Sequence, residues 1–274
     1  MRLLSQSTRW TVTVGKVPTY THGHHEAVLR SHRSRTAANS AAYLLPHLTA
    51  DMSLLDVGCG PGTITADLAG LVGQVTAIEP TPDALALARD FVTRSNVRFD
   101  VADVHALPYE DNTFDVVHAH QVLQHVHDPV GALKEMRRVS KGVVAARDSD
   151  YGGFVWYPEV PALDDWLALY RRIARRNGGD PDAGRKLLSW ARQAGFAEVE
   201  AGGSVWSYAT PAEREWWGGM WADRILKTQI AEHAISYRYA TRADLDRISD
   251  GWREWAAAPD GWFAILHGEI LCRG

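Results

Sequence analysis

A turn built on three glycines constrains this sequence more than any other feature. It lies in the run Leu54-Leu55-Asp56-Val57-Gly58-Cys59-Gly60-Pro61-Gly62-Thr63, where an apolar stretch gives way to glycine at alternate positions. The apolar stretch is typical of a buried strand, and residues 63–71 are typical of a helix. Glycine lets the backbone approach a ligand closely, and a helix N-terminus offers unpaired N–H groups. The run therefore predicts a ligand-binding turn between a strand and a helix.

Strand patterns and helix patterns alternate along the chain up to Asp150. The strands are predicted at residues 53–57, 74–78, 97–101, 114–118 and 142–146, and the helices at 35–48, 63–71, 82–94 and 129–139. The connections are too long for hairpins, so the pattern favours βαβ units and a parallel sheet with helices on both faces. The predicted fold class is α/β, with a Rossmann-like, mostly parallel sheet.

The pattern changes after Asp150, where ten of the eleven tryptophans lie. Helices are predicted at residues 163–176 and 185–194, a strand at 197–208, a tryptophan-rich helical stretch at 211–258 and a closing strand at 262–272. Helical spacing relates Trp216, Trp217, Trp221, Trp252 and Trp255. This spacing favours core packing, with part of the cluster facing a substrate pocket.

Three acids fall at the carboxyl ends of successive predicted strands, the edge where open α/β sheets bind ligands. Asp56 ends the first strand, Glu79 follows Gly60 by nineteen residues at the end of the second, and Asp103 follows the third. A carboxylate at Glu79 can accept hydrogen bonds from both hydroxyls of a ribose. Asp103 can accept a hydrogen bond from an adenine amino group, with Val104 against the ring. The acids predict an adenosine-containing ligand.

The glycine spacing separates two classes of nucleotide-binding enzyme. It is G-x-G-x-G, and Thr63 stands where a pyrophosphate-binding G-x-G-x-x-G turn has its third glycine. A ligand without phosphate makes no demand on the helix N-terminus and can meet acids such as Asp56 with an ammonium group. A nicotinamide-dependent oxidoreductase is therefore the less favoured alternative.

At these positions the sequence resembles the class I methyltransferases that depend on S-adenosylmethionine (SAM), in particular those of the ubiquinone- and menaquinone-biosynthesis type. The resemblance covers residues 20–150 well and the rest loosely. It is carried by the glycine run, Ile78-Glu79-Pro80, Ala102-Asp103 with Leu107-Pro108, and Phe114-Asp115-Val116-Val117 leading to Leu123-Gln124-His125-Val126. Where the family has a Pro-Gly-Gly turn before strand five, this chain has the shorter Val139-Ser140-Lys141-Gly142.

The resemblance implies SAM as the cofactor and assigns a set of residues to it. By this resemblance Gly58, Gly60 and Gly62 pack under the methionine part of SAM. Glu79 with Pro80 holds the ribose, and Asp103 with Val104 holds the adenine. His120 and Gln121, after strand four, lie near the sulfonium. Tyr20, His24 and Arg35 are candidate lid contacts, since N-terminal segments of related enzymes close over the cofactor. The implied sheet has seven strands, the last antiparallel.

The predicted function is methyl transfer from SAM to an O, N or C nucleophile of a small aromatic or hydrophobic molecule. If the nucleophile must lose a proton, a base with a pKa near neutral helps, and His125, His120 or Asp148 could supply it. A SAM-binding regulator without transfer activity is the alternative from another class. The predicted division is a lid segment and helix at 1–48, a SAM-binding core at 49–150, and the rest of the sheet with helical substrate-cap insertions at 151–274.

Composition disfavours several other partners. The net charge of -4 and pI near 6.3 speak against nucleic acid. Two distant cysteines suggest neither a disulfide framework nor a zinc site, and favour a cytoplasmic setting. Adjacent His22, His24 and His25 favour a surface segment over a metal site. No apolar run approaches the roughly 18 residues of a membrane helix. A monomer or homodimer with only a small-molecule partner is expected.

Overall fold

The computed structural model describes residues 31–274. Its strands are β1 (Ser53–Val57), β2 (Gln74–Glu79), β3 (Val97–Val101), β4 (Phe114–His120), β5 (Ser140–Ser149), β6 (Val155–Tyr157), β7 (Glu198–Tyr208) and β8 (Trp262–Arg273). They form one sheet in the order β3-β2-β1-β4-β5-β8-β6, and β7 also pairs with β8. Strands β1 to β5 are mutually parallel, and β8 runs antiparallel to its neighbours. The predicted fold class is confirmed.

Helices cover both faces of this sheet. They are α1 (Ala37–Ser40), α2 (Thr63–Leu68), α3 (Pro82–Phe91), α4 (Pro129–Val139), α5 (Pro161–Arg176), α6 (Leu187–Gln193), α7 (Pro211–Lys227), α8 (Gln229–Ser236) and α9 (Arg242–Ala257). Successive strand residues point to opposite faces. Accordingly Leu54 packs in the core with α1 and α2, whereas Leu55 packs in the core with α4 and α6.

The sheet has one strand more than predicted, because β6 pairs with the first residues of β8. Trp156 lies opposite Phe263, and Tyr157 lies opposite Trp262. β5 covers this edge of β8 only from His267, which lies opposite Ser149, to Arg273, so the backbone groups at the start of β8 are left for β6 to pair with. A three-residue strand is too short to show periodicity in the sequence. Pairing with an open edge therefore created an element that the pattern did not predict.

β5 begins at Ser140, directly after α4, and replaces the missing Pro-Gly-Gly turn with a bulge. Ser140 pairs with Phe114, the register shifts, and regular pairing resumes with Val143 opposite Val116. A β-bulge of this kind absorbs an extra residue without breaking the sheet. The short junction thus leaves the parallel pairing of β4 and β5 intact.

The predicted helix over residues 35–48 is wrong. The structure has only the short α1 and a separate 3-10 turn at Leu45–His47. Pro46 has no backbone N–H and crowds the carbonyl of the preceding turn, so one helix cannot continue through it. Ala41 and Leu44 are nevertheless fully buried against the sheet. The apolar spacing reflected packing and not helix length.

The predicted helical stretch over residues 211–258 consists of α7, α8 and α9, which join α5 in a helical cap. Its core is aromatic, with ring centroids of Trp166 lying 4.6 Å from Trp221 and 4.7 Å from Trp252, both edge to face. Phe263 of β8 packs against the same cluster. Aromatic pairs of this geometry contribute beyond their buried area. Within residues 31–274 no helix is long and apolar enough to cross a membrane.

Candidate active site

A cleft of about 480 Å3 lies at the carboxyl ends of β1 to β4. That is within the usual range of roughly 300–1,000 Å3 for small-molecule sites. The predicted residues that line it are Arg35, Asp56, Gly58, Gly60, Glu79, Pro80, Asp103, Val104, His120, Gln121 and His125. Gly62 and Asp148 are not among its lining residues, and Tyr20 and His24 lie outside the described residues. One cleft therefore collects the acids and most of the glycine turn.

The glycines of the turn do different things. Gly60 has φ +56, and a Cβ built on it would meet nothing within 4 Å, so it faces the open cleft. Gly62 has φ +83, and a Cβ there would lie 2.7 Å from Val92 Cγ2 and 3.2 Å from Ala88 Cα. Gly62 thus permits close packing of the turn on α3 instead of contact with a ligand.

Glu79 is tied to the turn, because its Oε1 accepts a hydrogen bond from the backbone N–H of Gly60 at 2.6 Å. Burial raises the pKa of Glu79 to about 7, the Gly60 N–H opposes that shift, and the nearby charge of Asp56 adds to it. Ligand donors can thus compete with a proton for this carboxylate.

Asp56 is almost fully buried and already holds two partners. Its Oδ2 accepts a hydrogen bond from Thr65 Oγ1 at 2.6 Å, and its Oδ1 lies 2.9 Å from His118 Nδ1. The pair follows from the sheet register, since Asp56 of β1 lies opposite His118 of β4. Asp56 lines the cleft, but two of its acceptor positions are committed to holding the end of β1.

Asp103 stands at the rim of the cleft beside two imidazoles. Its Oδ1 accepts from the backbone N–H of His105 at 2.9 Å and lies 2.8 Å from His105 Nδ1. The rings of His105 and His127 are 4.3 Å apart at their centroids. Partial burial alone would raise the pKa of Asp103, but these hydrogen bonds and the nearby imidazoles lower it. Neither histidine could be assigned to the site from the sequence, because their approach depends on two separate loops.

The predicted bases have shifted pKa values. Burial, together with the charge of Arg35, lowers the pKa of His125 to about 3. Burial and the charges of Arg35 and Arg147 lower the pKa of His120 well below its ordinary value. Neither ring nitrogen of His120 has a hydrogen-bond partner among the described residues. Both side chains are therefore neutral near pH 7 and weak as bases.

Asp148 lies away from the cleft, beneath the 3-10 turn Leu123–His125. Its Oδ1 accepts a hydrogen bond from the backbone N–H of Gln124 at 3.0 Å, and the side chain is fully buried. Burial raises its pKa to about 7, which is near neutral as a base would require. Its position supports the turn that carries His125, however, and gives it no contact with the cleft.

Gln121 takes a backbone conformation that is uncommon for a residue with a side chain. Its φ is +54, and its N–H donates to the carbonyl of Arg147 at 2.7 Å. Its Oε1 accepts from Arg35 at 2.6 Å, and its Nε2 lies 3.0 Å from His267 Nε2. Such strain persists only where surrounding contacts hold it, and it often occurs at functional sites. The sequence carried no signal for His267, which comes from β8.

A second, smaller cavity of about 50 Å3 adjoins the cleft and shares His32, Arg35, Gln121 and His125 with it. Its aromatic walls are Tyr151, Phe154, Trp206, Tyr208, Trp216, Trp217 and Trp221. Of the tryptophans predicted to divide between core and pocket, Trp252 and Trp255 are fully buried in the cap. The cavity thus lies between the cleft and the cap.

Comparison with known proteins gives matches over most of the chain. A family model described as a methyltransferase domain matches residues 55–144. An uncharacterized methyltransferase of Schizosaccharomyces pombe is 31% identical over 267 residues, covering 92% of this chain and 95% of the relative. Demethylmenaquinone methyltransferase of Staphylococcus aureus is 32% identical over 152 residues, covering 53% of this chain and 61% of the relative.

A solved structure shares the fold. Phosphoethanolamine N-methyltransferase 2 of Haemonchus contortus, in complex with phosphomonomethylethanolamine and S-adenosylhomocysteine, matches with a TM-score of 0.53 and 18% sequence identity. The match covers 86% of this chain and 52% of that chain.

Proposed function

Because this chain belongs to the class I methyltransferases that use SAM, we propose that it methylates an oxygen, nitrogen or carbon nucleophile of a small aromatic or hydrophobic molecule. The observation that carries the proposal is the aromatic cavity that shares four residues with the cleft. A donor in the cleft meets, at those shared residues, an acceptor that extends from the cleft into the cavity with only part of its ring. The relative named demethylmenaquinone methyltransferase supports a small-molecule acceptor.

The residues of the cleft fit an adenosyl ligand. Glu79 accepts hydrogen bonds from the ribose hydroxyls through its Oε2, because Oε1 is taken by the Gly60 N–H and Oε2 has no hydrogen bond among the described residues. Asp103 accepts from the adenine amino group, and its side chain is 65% exposed at the rim. The open space over Gly60 admits the cofactor, and a Cβ at this position would enter that space. When bound, SAM supplies a methyl group made electrophilic by its sulfonium.

The chain's own part in the reaction is to position the acceptor and exclude water. Gln121 lies at the junction of the two cavities and is held by Arg35 and His267. The neutral rings of His120 and His125 line the cleft beside it. Holding two reactants at near-attack distance in a dry site supplies most of the acceleration such a transfer needs.

A general base remains a secondary feature of this proposal. His120 or His125 takes a proton only from an acceptor that loses it readily, because burial keeps both imidazoles weakly basic. Asp148 acts as a positioning residue through the Leu123–His125 turn. The acceptor's own ionisation therefore decides how fast an O- or N-methylation proceeds.

The test is formation of S-adenosylhomocysteine by the purified full chain with SAM and a panel of phenols, aromatic amines and quinols. Acceptor-dependent product, with the added methyl located by mass spectrometry, supports the proposal. Binding of SAM without turnover of any acceptor would favour the regulatory alternative. Spectral changes with NADH but not with SAM would favour the oxidoreductase.

A further inference from the structure

The side-chain amide of Gln121 has one orientation, because a different kind of partner meets each of its ends. Arg35 Nη2 lies 2.6 Å from one end, and a guanidinium can only donate, so that end is the oxygen Oε1. The amide nitrogen is therefore the end that lies 3.0 Å from His267 Nε2. Since an amide nitrogen can only donate, His267 Nε2 is the acceptor of this hydrogen bond.

This bond requires one protonation state of His267. An imidazole nitrogen accepts a hydrogen bond only when it carries no proton, so the ring must be neutral with its proton on Nδ1. Burial, with the positive charges of Arg147 and Arg35, lowers the pKa of His267 well below its ordinary value, and the backbone carbonyl of Ile265 opposes that shift. The nearby carboxylate of Glu269 is paired with Arg147 at 3.0 Å. The buried ring is therefore neutral, as the bond requires.

The sheet holds the His267 ring in place from both sides. In the strand register it lies opposite Ser149 of β5 and Ser204 of β7. The side chain is fully buried, and the ring centroid of Trp206 lies 4.5 Å from its own. A ring packed in this way presents its acceptor nitrogen from a rigid support.

The orientation of Gln121 leaves one N–H for a ligand. The amide nitrogen carries two hydrogens, the bond to His267 uses one, and no acceptor for the other is present within residues 31–274. Gln121 lines the cleft beside the glycine turn, because a Cβ on Gly58 would lie 2.5 Å from Cγ2 of the adjacent Val122. The methionine part of SAM, which carries a carboxylate, is the part of the cofactor expected at this turn.

We propose that His267 is a positioning residue for the cofactor, which accepts from the Gln121 amide and so directs the remaining N–H to a carboxylate oxygen of the methionine part of SAM. His267 itself lines neither the cleft nor the cavity, so it acts through Gln121. Without this acceptor only the bond to Arg35 would hold the amide, and its nitrogen could turn away from the ligand. The inference rests on the proposed function and adds a residue of β8 to its site.

NMR spectra of the full chain with nitrogen-labelled histidine test the orientation without any ligand. The His267 signals, identified by their absence in His267→Gln, should show a proton on Nδ1 and none on Nε2 at a pH of about 7. Gln121→Glu replaces the N–H donor by an oxygen of similar size, so His267 Nε2 should gain a proton. A proton on Nε2 in the wild type, or an unchanged Nε2 in folded Gln121→Glu, would overturn the inference.

Calorimetric titration tests the consequence for the site, with S-adenosylhomocysteine and with methylthioadenosine, which lacks the amino-acid part. His267→Leu should weaken binding of S-adenosylhomocysteine about fivefold and leave that of methylthioadenosine unchanged. His267→Gln keeps an acceptor oxygen and should restore most of the affinity. His47→Leu, the same change at a histidine that lines neither cavity, is the control and should bind both compounds as the wild type does.

The outcomes separate this inference from the proposed function. If His267→Leu weakens binding of both compounds equally, or of neither, or if His267→Gln does no better, the inference is overturned and the proposed function stands. If the wild type binds neither compound, the proposed function fails, and the inference fails with it whatever the spectra show. Should His267→Leu not melt cooperatively, His267→Phe keeps a ring beside Trp206 without the acceptor nitrogen and takes its place.

Discussion

The Glu79 carboxylate accepts a hydrogen bond from the backbone N–H of Gly60 at 2.6 Å, so the end of β2 and the open glycine of the turn hold each other in place. The carboxylate therefore faces the cleft from a rigid position, with one oxygen committed to the protein. Rigidity of this kind reduces the entropy that a ligand must lose on binding. The pairing makes Glu79 the most informative residue to change.

Glu79→Gln should weaken binding of S-adenosylhomocysteine by more than about tenfold. An amide has one acceptor oxygen, which the Gly60 N–H already occupies, so its NH2 group faces the ribose hydroxyls and the hydrogen bonds to a charged acceptor are lost. Calorimetric titration at constant pH measures the effect. Glu110→Gln, at an exposed acid outside the cleft, is the matched control and should bind as the wild type does. Equal affinities of the two variants would contradict the ribose assignment.

Affinity for S-adenosylhomocysteine should fall as the pH drops from about 8 to about 6, because the raised pKa of Glu79, about 7, means that protonation competes with the ligand in that range. Only the ionised carboxylate can accept from both hydroxyls, so binding releases a proton. Titrations in buffers of different ionisation enthalpy measure that proton directly. A pH dependence that persists unchanged in Glu79→Gln would assign it to another group.

Gly60→Ala and Gly62→Ala should fail in different ways. At Gly60 the new methyl enters open space, so the fold loses only the roughly 1–2 kcal/mol of a left-handed backbone while cofactor affinity falls steeply. At Gly62 the methyl collides with Ala88 of α3 and with Val92 directly after that helix, which adds overpacking of about 1–3 kcal/mol. Denaturant unfolding and ligand titration of both variants separate the effects. Equal loss of stability in both variants would contradict the assignment of Gly60 to the cleft and of Gly62 to packing against α3.

Asp148→Asn should stabilise the protein at high pH and much less at low pH. The pKa of Asp148 in the folded state, about 7, lies above its unfolded value, so folding is penalised above that pH and the penalty vanishes below the unfolded pKa. An asparagine can still accept from the Gln124 N–H and carries no charge. The gain at about pH 8 should exceed that at about pH 4 by on the order of 2–4 kcal/mol.

Chemical denaturation of Asp148→Asn beside Glu198→Gln, an exposed acid at the start of β7, provides the comparison. The control variant should change stability little at either pH. A change of the same size at both pH values for Asp148→Asn would show that the raised pKa does not act on folding.

Local pattern was enough to predict every strand of the sheet except β6, together with the glycine turn and the acids at the strand ends. Glu79 and Asp103 could be assigned because parallel strands bring their carboxyl ends to one edge, whatever the details of packing. α4 and β8 could be predicted because each buries one face, and a buried face requires apolar residues at regular spacing in the sequence. These features are enough to predict the class of ligand from the sequence alone.

Tertiary structure decided which groups meet and in which protonation state. Gly60 and Gly62 look equivalent in the sequence, yet only Gly60 faces the cleft, since Val92 lies against the other. Gln121 meets His267 across 146 residues, and the pKa of His125 is set by burial. Such facts depend on distances between distant segments and on the exclusion of water. Neither quantity is encoded in the spacing of neighbouring residues, so only the folded chain could reveal them.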